Sequence, residues 1–155
     1  MSTKFSRCAD TKQAILQILE NYGGIIMRKL YAYAPDSRCP VQEFLQGMNE
    51  KIQDKLRFQL AYILDENSSF VEPYVKHFSL AKYRQLYEIR VIAAKTMVRV
   101  IFHEKNGEII LLYAFHKRDR KDTERALEAA RRIYDEITDR GGGICREYLR
   151  EVKPW

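Results

Sequence analysis

The stretch of residues 86–118 constrains the fold of this chain most strongly, because it carries three consecutive β-type segments. The Asn106-Gly107 pair joins the last two of them. Asn-Gly between two alternating apolar runs is a strong hairpin signal, because both central residues of that tight turn need positive φ. The stretch therefore predicts an antiparallel meander, which we expect to carry the active face. Its three predicted strands are residues 86–92, 96–103 and 108–115.

One strand and two helices are predicted before the meander. Alternating side chains predict a strand within residues 25–34. Apolar residues at helical spacing predict a helix that starts at Pro40 and a second helix over residues 50–65. Residues 67–83 are expected to form a connector. The two helices together predict a helical hairpin that covers one face of the sheet.

The two ends of the chain each predict further helical structure. Residues 11–22 have an apolar face formed by Ala14, Ile15, Ile18 and Leu19, which predicts a short amphipathic helix. It is either an arm for a partner or, as we prefer, a cap packed in cis. A last helix is predicted from a cap at Asp122 or Thr123 to residue 139, and the tail is expected to add one helical turn.

Segregated helices and hairpin-linked strands make this an α+β chain rather than a parallel α/β chain. The net charge of +6 and the pI near 9.2 fit an anionic partner, although a solvated basic surface explains them equally well. Three widely separated cysteines argue against a disulfide framework or a zinc site and fit a reducing cytoplasm. The sequence has no apolar run of membrane length and no secretory signal at residues 1–10.

Several segments in the same order give the chain a family resemblance. They are L-Y-E-I-R at residues 86–90, V-R-V-I-F around Arg99, I-I-L-L after Gly107, F-H-K-R at 115–118, T-E at 123–124, and P-x-x-x-F-L at 40–45. Through them, residues 29–137 resemble the RelE/ParE superfamily of toxins from bacterial type II toxin–antitoxin modules. The resemblance is closest to the phage-derived, HigB-like branch. It predicts a toxin domain at residues 27–138, with an extension at 1–26 and a tail at 139–155.

The resemblance implies a fold, an activity and partners. The fold is a twisted antiparallel sheet with helices against one face and an open, basic concave face on the other. The activity is metal-free, ribosome-dependent endonucleolytic cleavage of mRNA, without a small-molecule cofactor. The partners are mRNA on the ribosome and a cognate helix-turn-helix antitoxin. We expect the antitoxin to occupy a hydrophobic groove and to neutralise the basic face, with residues 123–139 as a possible contact.

Two arginines of the meander are the first candidate catalytic residues. Metal-free RNA cleavage needs cations that stabilise the charge developing on the scissile phosphate. Arg90 is a candidate phosphate clamp, and its alternative role is a surface arginine paired with Glu88. Arg99 lies between Val98 and Val100, where a charge is costly unless it is used or paired. The alternative for Arg99 is a solvent-facing edge position.

The segment that follows the meander supplies the other candidates. His116 has an unperturbed pKa suited to acid or base catalysis, although a lone histidine at a strand end is more often an ordinary surface residue. By the resemblance, Arg118 matches a second catalytic arginine of the family. Lys117 and Arg120 belong to the same basic run, which is either an RNA-binding segment or a solvated loop. Phe115 is a candidate for stacking on a base.

The sequence does not assign the general base, and it leaves two other functions open. The family's lysines and its late tyrosine have no counterpart here, which leaves Tyr87, Tyr113, His77 and His103 as possible replacements. One alternative function is a non-enzymatic toxin that acts on a protein such as DNA gyrase. The other is a degenerate module that only binds an antitoxin or RNA. The basic cluster favours RNA, because phosphate contacts need Lys and Arg.

Overall fold

Six strands and three α-helices form the part of the chain that the structure, a computed structural model, describes, residues 27–153. The predicted helix at residues 11–22 lies outside the described residues. In chain order the elements are β1 Lys29–Tyr33, α1 Pro40–Gln46, α2 Glu50–Leu64, β2 Val75–His77, β3 Tyr87–Ala93, β4 Thr96–Lys105, β5 Glu108–His116, α3 Arg120–Ile137 and β6 Leu149–Glu151.

The predicted meander is confirmed. Strands β3, β4 and β5 pair antiparallel in sequence order. Asn106 (φ 54°) and Gly107 (φ 78°) both adopt the left-handed conformation that the two-residue hairpin turn needs. The β3–β4 turn has the same conformation at Ala94 (φ 49°) and Lys95 (φ 66°), two residues that give no turn signal in the sequence.

The α+β class is confirmed, but the sheet is mixed rather than wholly antiparallel. Its order is β2-β3-β4-β5-β1-β6, and β1 pairs in parallel with β5. A parallel pair needs a long connection, and the chain between β1 and β5 supplies one with two helices and three strands. Both edge strands lie in segments that carry little periodicity. Strand β2 belongs to the predicted connector, and β6 follows the single helical turn Arg146–Tyr148 in the predicted tail.

The predicted helical hairpin is confirmed on one face of the sheet. Helices α1 and α2 bury their apolar sides against alternate residues of β3, β4 and β5. Asn49 begins α2, because its Oδ1 accepts a hydrogen bond from the Ile52 amide at 3.0 Å. The largest buried side chains of this core include Leu45, Ile52, Leu56, Leu60, Ile63, Ile89, Phe102 and Ile109.

Helix α3 covers part of the opposite face, which corrects the expectation of a fully open concave face. Ala126, Leu127 and Ala130 pack on Ile101 and Ile110 of the sheet in a second core. The helix also begins earlier than predicted. Asp119 is its cap, because Asp119 Oδ1 accepts from the Asp122 amide at 3.0 Å and Asp122 Oδ2 accepts from the Asp119 amide at 3.2 Å.

Candidate functional site

The face that carries α3 also carries three of the predicted site residues. Arg90 of β3 lies directly opposite Arg99 of β4, and Arg99 lies directly opposite Phe115 of β5. Directly opposed residues of neighbouring antiparallel strands project to the same face. On the same face, the next cross-strand pair towards the β3–β4 turn is Ile92 and Met97. The backbone amide of Lys117, which follows β5, donates a hydrogen bond of 2.9 Å to the Met97 carbonyl. Pairing across three strands therefore brings together residues that are distant in sequence.

A buried glutamate holds the two arginines. Glu88, two residues before Arg90 on the same face, is 1% exposed. Its Oε1 lies 3.3 Å from Arg90 Nε and 3.6 Å from Arg99 Nε. A buried charge is strongly unfavourable unless it is paired, so the carboxylate and the two guanidinium groups depend on one another. The trio keeps one net positive charge.

Arg99 has unused hydrogen-bonding capacity. Its side chain is buried, and neither Nε nor Nη1 has a hydrogen-bond partner among the described residues. Burial lowers the pKa of Arg99, Glu88 opposes this effect, and Arg90 lowers the pKa further. An unsatisfied buried donor costs roughly 1–3 kcal/mol, which an anionic oxygen placed against the guanidinium would recover. The arrangement suits a phosphate.

Arg90 combines both of the roles considered for it. It contacts Glu88, as a paired strand arginine does, and it lies beside Arg99, as a phosphate clamp requires. Its side chain is 28% exposed, and Nη1 lies 3.8 Å from the exposed carboxylate of Glu72. Arg90 is therefore the more accessible of the two guanidinium groups.

The structure separates His116 from the arginines. His116 lies opposite Val98, a residue of the α1–α2 core, and its ring packs edge-on against Phe44 of α1 with centroids 5.1 Å apart. Alternation along β5 therefore directs it to the face away from Arg99. Phe115 is on the arginine face, but it is only 8% exposed and packs in the α3 core. It supports Arg99 from the side and does not present a free ring to a base.

The predicted basic run leads into a groove between the β2–β3 connection and the first half of α3. Lys117 and Arg120 line it, whereas Arg118 is exposed next to it and its amide donates to Asp122 Oδ2 at 2.9 Å. The groove has a volume of about 570 Å³. Its charged lining consists of Lys76, Lys82, Lys117, Arg120, Glu124 and Glu128. The excess of basic groups makes it a suitable path for a polyanion.

The predicted connector forms one wall of this groove, and the sequence did not predict this role for it. Lys76 lies directly opposite Glu88, so it belongs to the arginine face. The Tyr83 hydroxyl and Lys82 Nζ (2.9 Å) both donate to Glu128 of α3. These two hydrogen bonds lower the pKa of Glu128. The pKa of Tyr83 is raised, mainly by burial and secondly by its hydrogen bond to Glu128. The basic residues Lys76, Lys82 and Arg84 were the signal available in the sequence.

The four residues considered as replacement bases are spread over the molecule. Tyr87 packs with Phe102 on the α1–α2 face, and His77 stacks on Tyr87 with centroids 4.7 Å apart. His103 is buried, and its Nδ1 donates to the Gln85 carbonyl at 2.8 Å. Tyr113 lies opposite Ile101 on β4, and it neighbours Phe115, which lies opposite Arg99. Its ring contacts Phe115, with centroids 6.2 Å apart, on the α3 side.

Two further observations concern the described residues taken together. Within residues 27–153 no His, Cys, Asp and Glu side chains come together in a group of three that would hold a metal ion. None of the helices in this range has the length and apolar character to cross a membrane.

Comparison with known proteins identifies a family. The sequence model of the family described as Phage derived protein Gp49-like (DUF891) matches residues 43–135, more than half of the chain. The match includes α2, the whole meander and most of α3, and therefore Arg90 and Arg99. No curated protein and no solved structure matches the chain significantly. The matched family is RelE-like and toxin-like, which confirms the predicted resemblance at that level, and the HigB-like branch stays a prediction. The chain therefore belongs to the phage-derived Gp49-like family.

Proposed function

We propose that this chain is the toxin of a type II toxin–antitoxin module and that it cleaves mRNA on the ribosome without a metal ion. Membership of the Gp49-like family is consistent with a toxin. The observation that carries the nuclease proposal is the state of Arg99. It is 6% exposed, faces the same side as Arg90, and has two guanidinium nitrogens without a hydrogen-bond partner among the described residues.

The proposed chemistry assigns each cation a place along the RNA. Arg99 stabilises the charge that develops on the scissile phosphate, because a preorganised donor aimed at that charge lowers the barrier. Arg90 binds the same phosphate from its more exposed position on β3. Lys117, Arg118 and Arg120 hold the flanking backbone along the groove. His116 takes no part in this proposal, because it lies on the opposite face with Phe44.

The test is primer extension on cellular mRNA after induced expression without the antitoxin. We expect discrete in-frame cuts in the wild type and a loss of roughly 10²–10³-fold in cutting for Arg99→Ala, the usual effect of removing one transition-state donor. Arg99→Lys keeps a positive charge beside Glu88 but loses the bidentate geometry of a guanidinium, so it should cut at an intermediate level. Arg140→Ala, an exposed arginine in the loop after α3, is the matched control and should cut normally.

Each other outcome has a specific meaning. Unchanged cutting by a folded Arg99→Ala protein, with folding checked by circular dichroism, would exclude this site. Growth arrest with intact mRNA in the wild type would indicate a protein target such as DNA gyrase. Absence of arrest would leave a module that only binds an antitoxin or RNA.

We also propose a cognate helix-turn-helix antitoxin as the partner, since a toxin of this family requires one to be harmless to its host. The basic groove between the connector and α3 is the surface that such an antitoxin would neutralise. Co-expression of the small protein encoded next to this chain should suppress the arrest, and the two should co-purify. Persistent arrest and separate elution would contradict this pairing.

A further inference from the structure

An apolar pair of side chains lies beside the two arginines, on the same face of the sheet. Ile92 of β3 and Met97 of β4 lie directly opposite each other, and they form the next pair on that face after Arg90 and Arg99. Ile92 is 55% exposed, and Met97 is half-buried. Helix α3 packs on β4 and β5, so Ile92 stays uncovered. The pair is therefore an accessible apolar surface that adjoins the candidate phosphate site.

Helix α2 holds the strand that carries Ile92. Strand β2 pairs only with Tyr87–Ile89 of β3, so the following residues of β3 form an edge of the sheet. Two side chains of α2 bind the backbone of this edge. Lys55 Nζ donates to the Ile92 carbonyl at 2.6 Å, and Gln59 Nε2 donates to the Arg90 carbonyl. The positions of Arg90 and Ile92 relative to each other are thus fixed by the same helix.

Met97 is held from the other side. Its carbonyl accepts the hydrogen bond of the Lys117 amide at 2.9 Å, and its Sδ lies 4.0 Å from Arg99 Nη2. A surface that is already ordered loses little conformational entropy when a ligand covers it. The apolar pair is therefore preorganised, as the two arginines are.

Spacing and charge indicate a nucleotide as the ligand. Arg90 and Ile92 are two residues apart on one strand, so their side chains start about 6.6 Å apart. This separation is close to that between a phosphate and the base of the same nucleotide. Lys95 in the β3–β4 turn is exposed, and Lys117 follows β5, so further cations lie near the pair. The face of a base is apolar and gains free energy when it packs on hydrocarbon, whereas its phosphate needs cations.

The size of the pair favours a base over a protein. Two side chains are too small to form a protein interface by themselves, because a standard interface covers roughly 800 Å² on each partner. Phe115, the residue that the sequence offered for stacking on a base, is 8% exposed and packs in the α3 core. Ile92 and Met97 are the accessible apolar side chains next to the arginines on that face.

We propose that Ile92 and Met97 pack against the base of the nucleotide whose phosphate binds Arg90 and Arg99. The contact has the role that the sequence suggested for Phe115. It is made by hydrocarbon and forms no hydrogen bond with the edge of the base, so it accepts any base and contributes affinity rather than sequence selectivity. The inference rests on the proposed function, because it requires RNA at the two arginines.

The binding of two single-stranded ligands to the full-length chain tests the proposal. One is a short oligoadenylate, and the other is a backbone of the same length without bases. Fluorescence anisotropy at low salt measures both affinities. Ile92→Thr keeps the branched shape and the strand propensity of the side chain but makes it polar. It should weaken oligoadenylate binding by roughly 5-fold, which corresponds to about 40 Å² less buried apolar surface. It should leave the binding of the abasic strand unchanged.

Three further variants complete the experiment. Val71→Thr changes another branched side chain, which is 54% exposed in the connection between α2 and β2, and it should change neither affinity. Ile92→Phe supplies a ring on which a base can stack, so it should tighten the binding of oligoadenylate only. Arg90→Ala removes a phosphate contact, so it should weaken the binding of both strands.

The outcomes separate this inference from the proposed function. If Arg90→Ala weakens both strands but Ile92→Thr weakens neither, or both equally, RNA binds at the arginines without the base contact and the inference is wrong. If Arg90→Ala changes neither affinity, the proposed RNA site and the inference both fail. Loss of antitoxin co-purification with Ile92→Thr, at unchanged RNA binding, would assign the apolar pair to the protein partner and overturn the proposal.

Discussion

Arg90 and Arg99 lie directly opposite each other on β3 and β4, and the Nε atoms of both lie within 3.6 Å of one oxygen of Glu88. Like charges in this cross-strand position repel each other. The buried carboxylate offsets the repulsion and fixes both side chains. Glu88, Arg90 and Arg99 therefore depend on one another electrostatically. Removal of one of the three charges leaves the other two without balanced partners.

Glu88→Gln should destabilise the protein by about 3 kcal/mol, because it leaves two neighbouring guanidinium groups without their buried counter-ion. Urea denaturation followed by circular dichroism measures the free energy of unfolding. Glu72→Gln is the matched control. Glu72 is 65% exposed and lies 3.8 Å from Arg90, so its loss should change the free energy by less than about 0.5 kcal/mol. Equal effects of the two substitutions would show that burial of Glu88 is not what holds the arginines.

Lys117→Ala should weaken the binding of a single-stranded RNA oligonucleotide and reduce its salt dependence. Each phosphate contact of a single strand adds about 0.7 to the slope of log affinity against log salt. Fluorescence anisotropy at a series of KCl concentrations gives that slope. Lys51→Ala, an exposed lysine on α2 at the other face, should leave it unchanged. A slope that Lys117→Ala does not alter would exclude the groove as the RNA path.

Ala94→Asn with Lys95→Gly should stabilise the protein by about 1 kcal/mol. Both residues have positive φ, which costs energy for Ala and Lys and little for Asn and Gly. Gly107→Ala in the other hairpin should have the opposite effect, also about 1 kcal/mol. A Cβ at Gly107 meets no atom within 4 Å, so its cost is conformational. Chemical denaturation compares the two turns, and a loss of stability on replacing Ala94 and Lys95 would contradict the turn assignment.

His103 should make the stability fall as the pH drops below about 6.5. Burial lowers the pKa of His103 from 6.5, so the unfolded chain binds more protons than the folded chain between the two pKa values. The stabilisation is complete above the unfolded pKa and is lost as the pH falls towards the folded one. His103→Gln keeps a donor for the Gln85 carbonyl and does not titrate. Unfolding free energies at pH 7 and pH 5 should differ less for this substitution than for the exposed control His77→Gln.

The local patterns of the sequence predicted most of the fold. Asn106-Gly107 set one hairpin, because its turn conformation depends only on the two residues within it. Apolar spacing located α1, α2 and α3, because one face of each helix must be buried. The two short edge strands, β2 and β6, were not predicted. The three residues of β2 and the three of β6 carry too little periodicity to be distinguished from loop.

The candidate site was likewise predicted only in part from the sequence. The sequence identified Arg99 as a charge in an apolar strand, and it identified the basic run at residues 116–121. The register of β4 against β3 and β5 then decided which of these residues meet. A one-residue change of register would exchange the faces of a whole strand, so sequence alone could not place His116 on the far side from Arg99.

The sequence by itself determined the types of the longer elements, the meander and the basic, apolar-cored character of the chain, because these depend on side chains close together in sequence. Tertiary structure alone decided the parallel β1–β5 pair, the burial of Glu88 between Arg90 and Arg99, and the groove that joins Lys76 to Arg120. Each of these depends on which strands become neighbours and in which register. The strand order and register follow from the need to bury two separate cores on the two faces of one sheet.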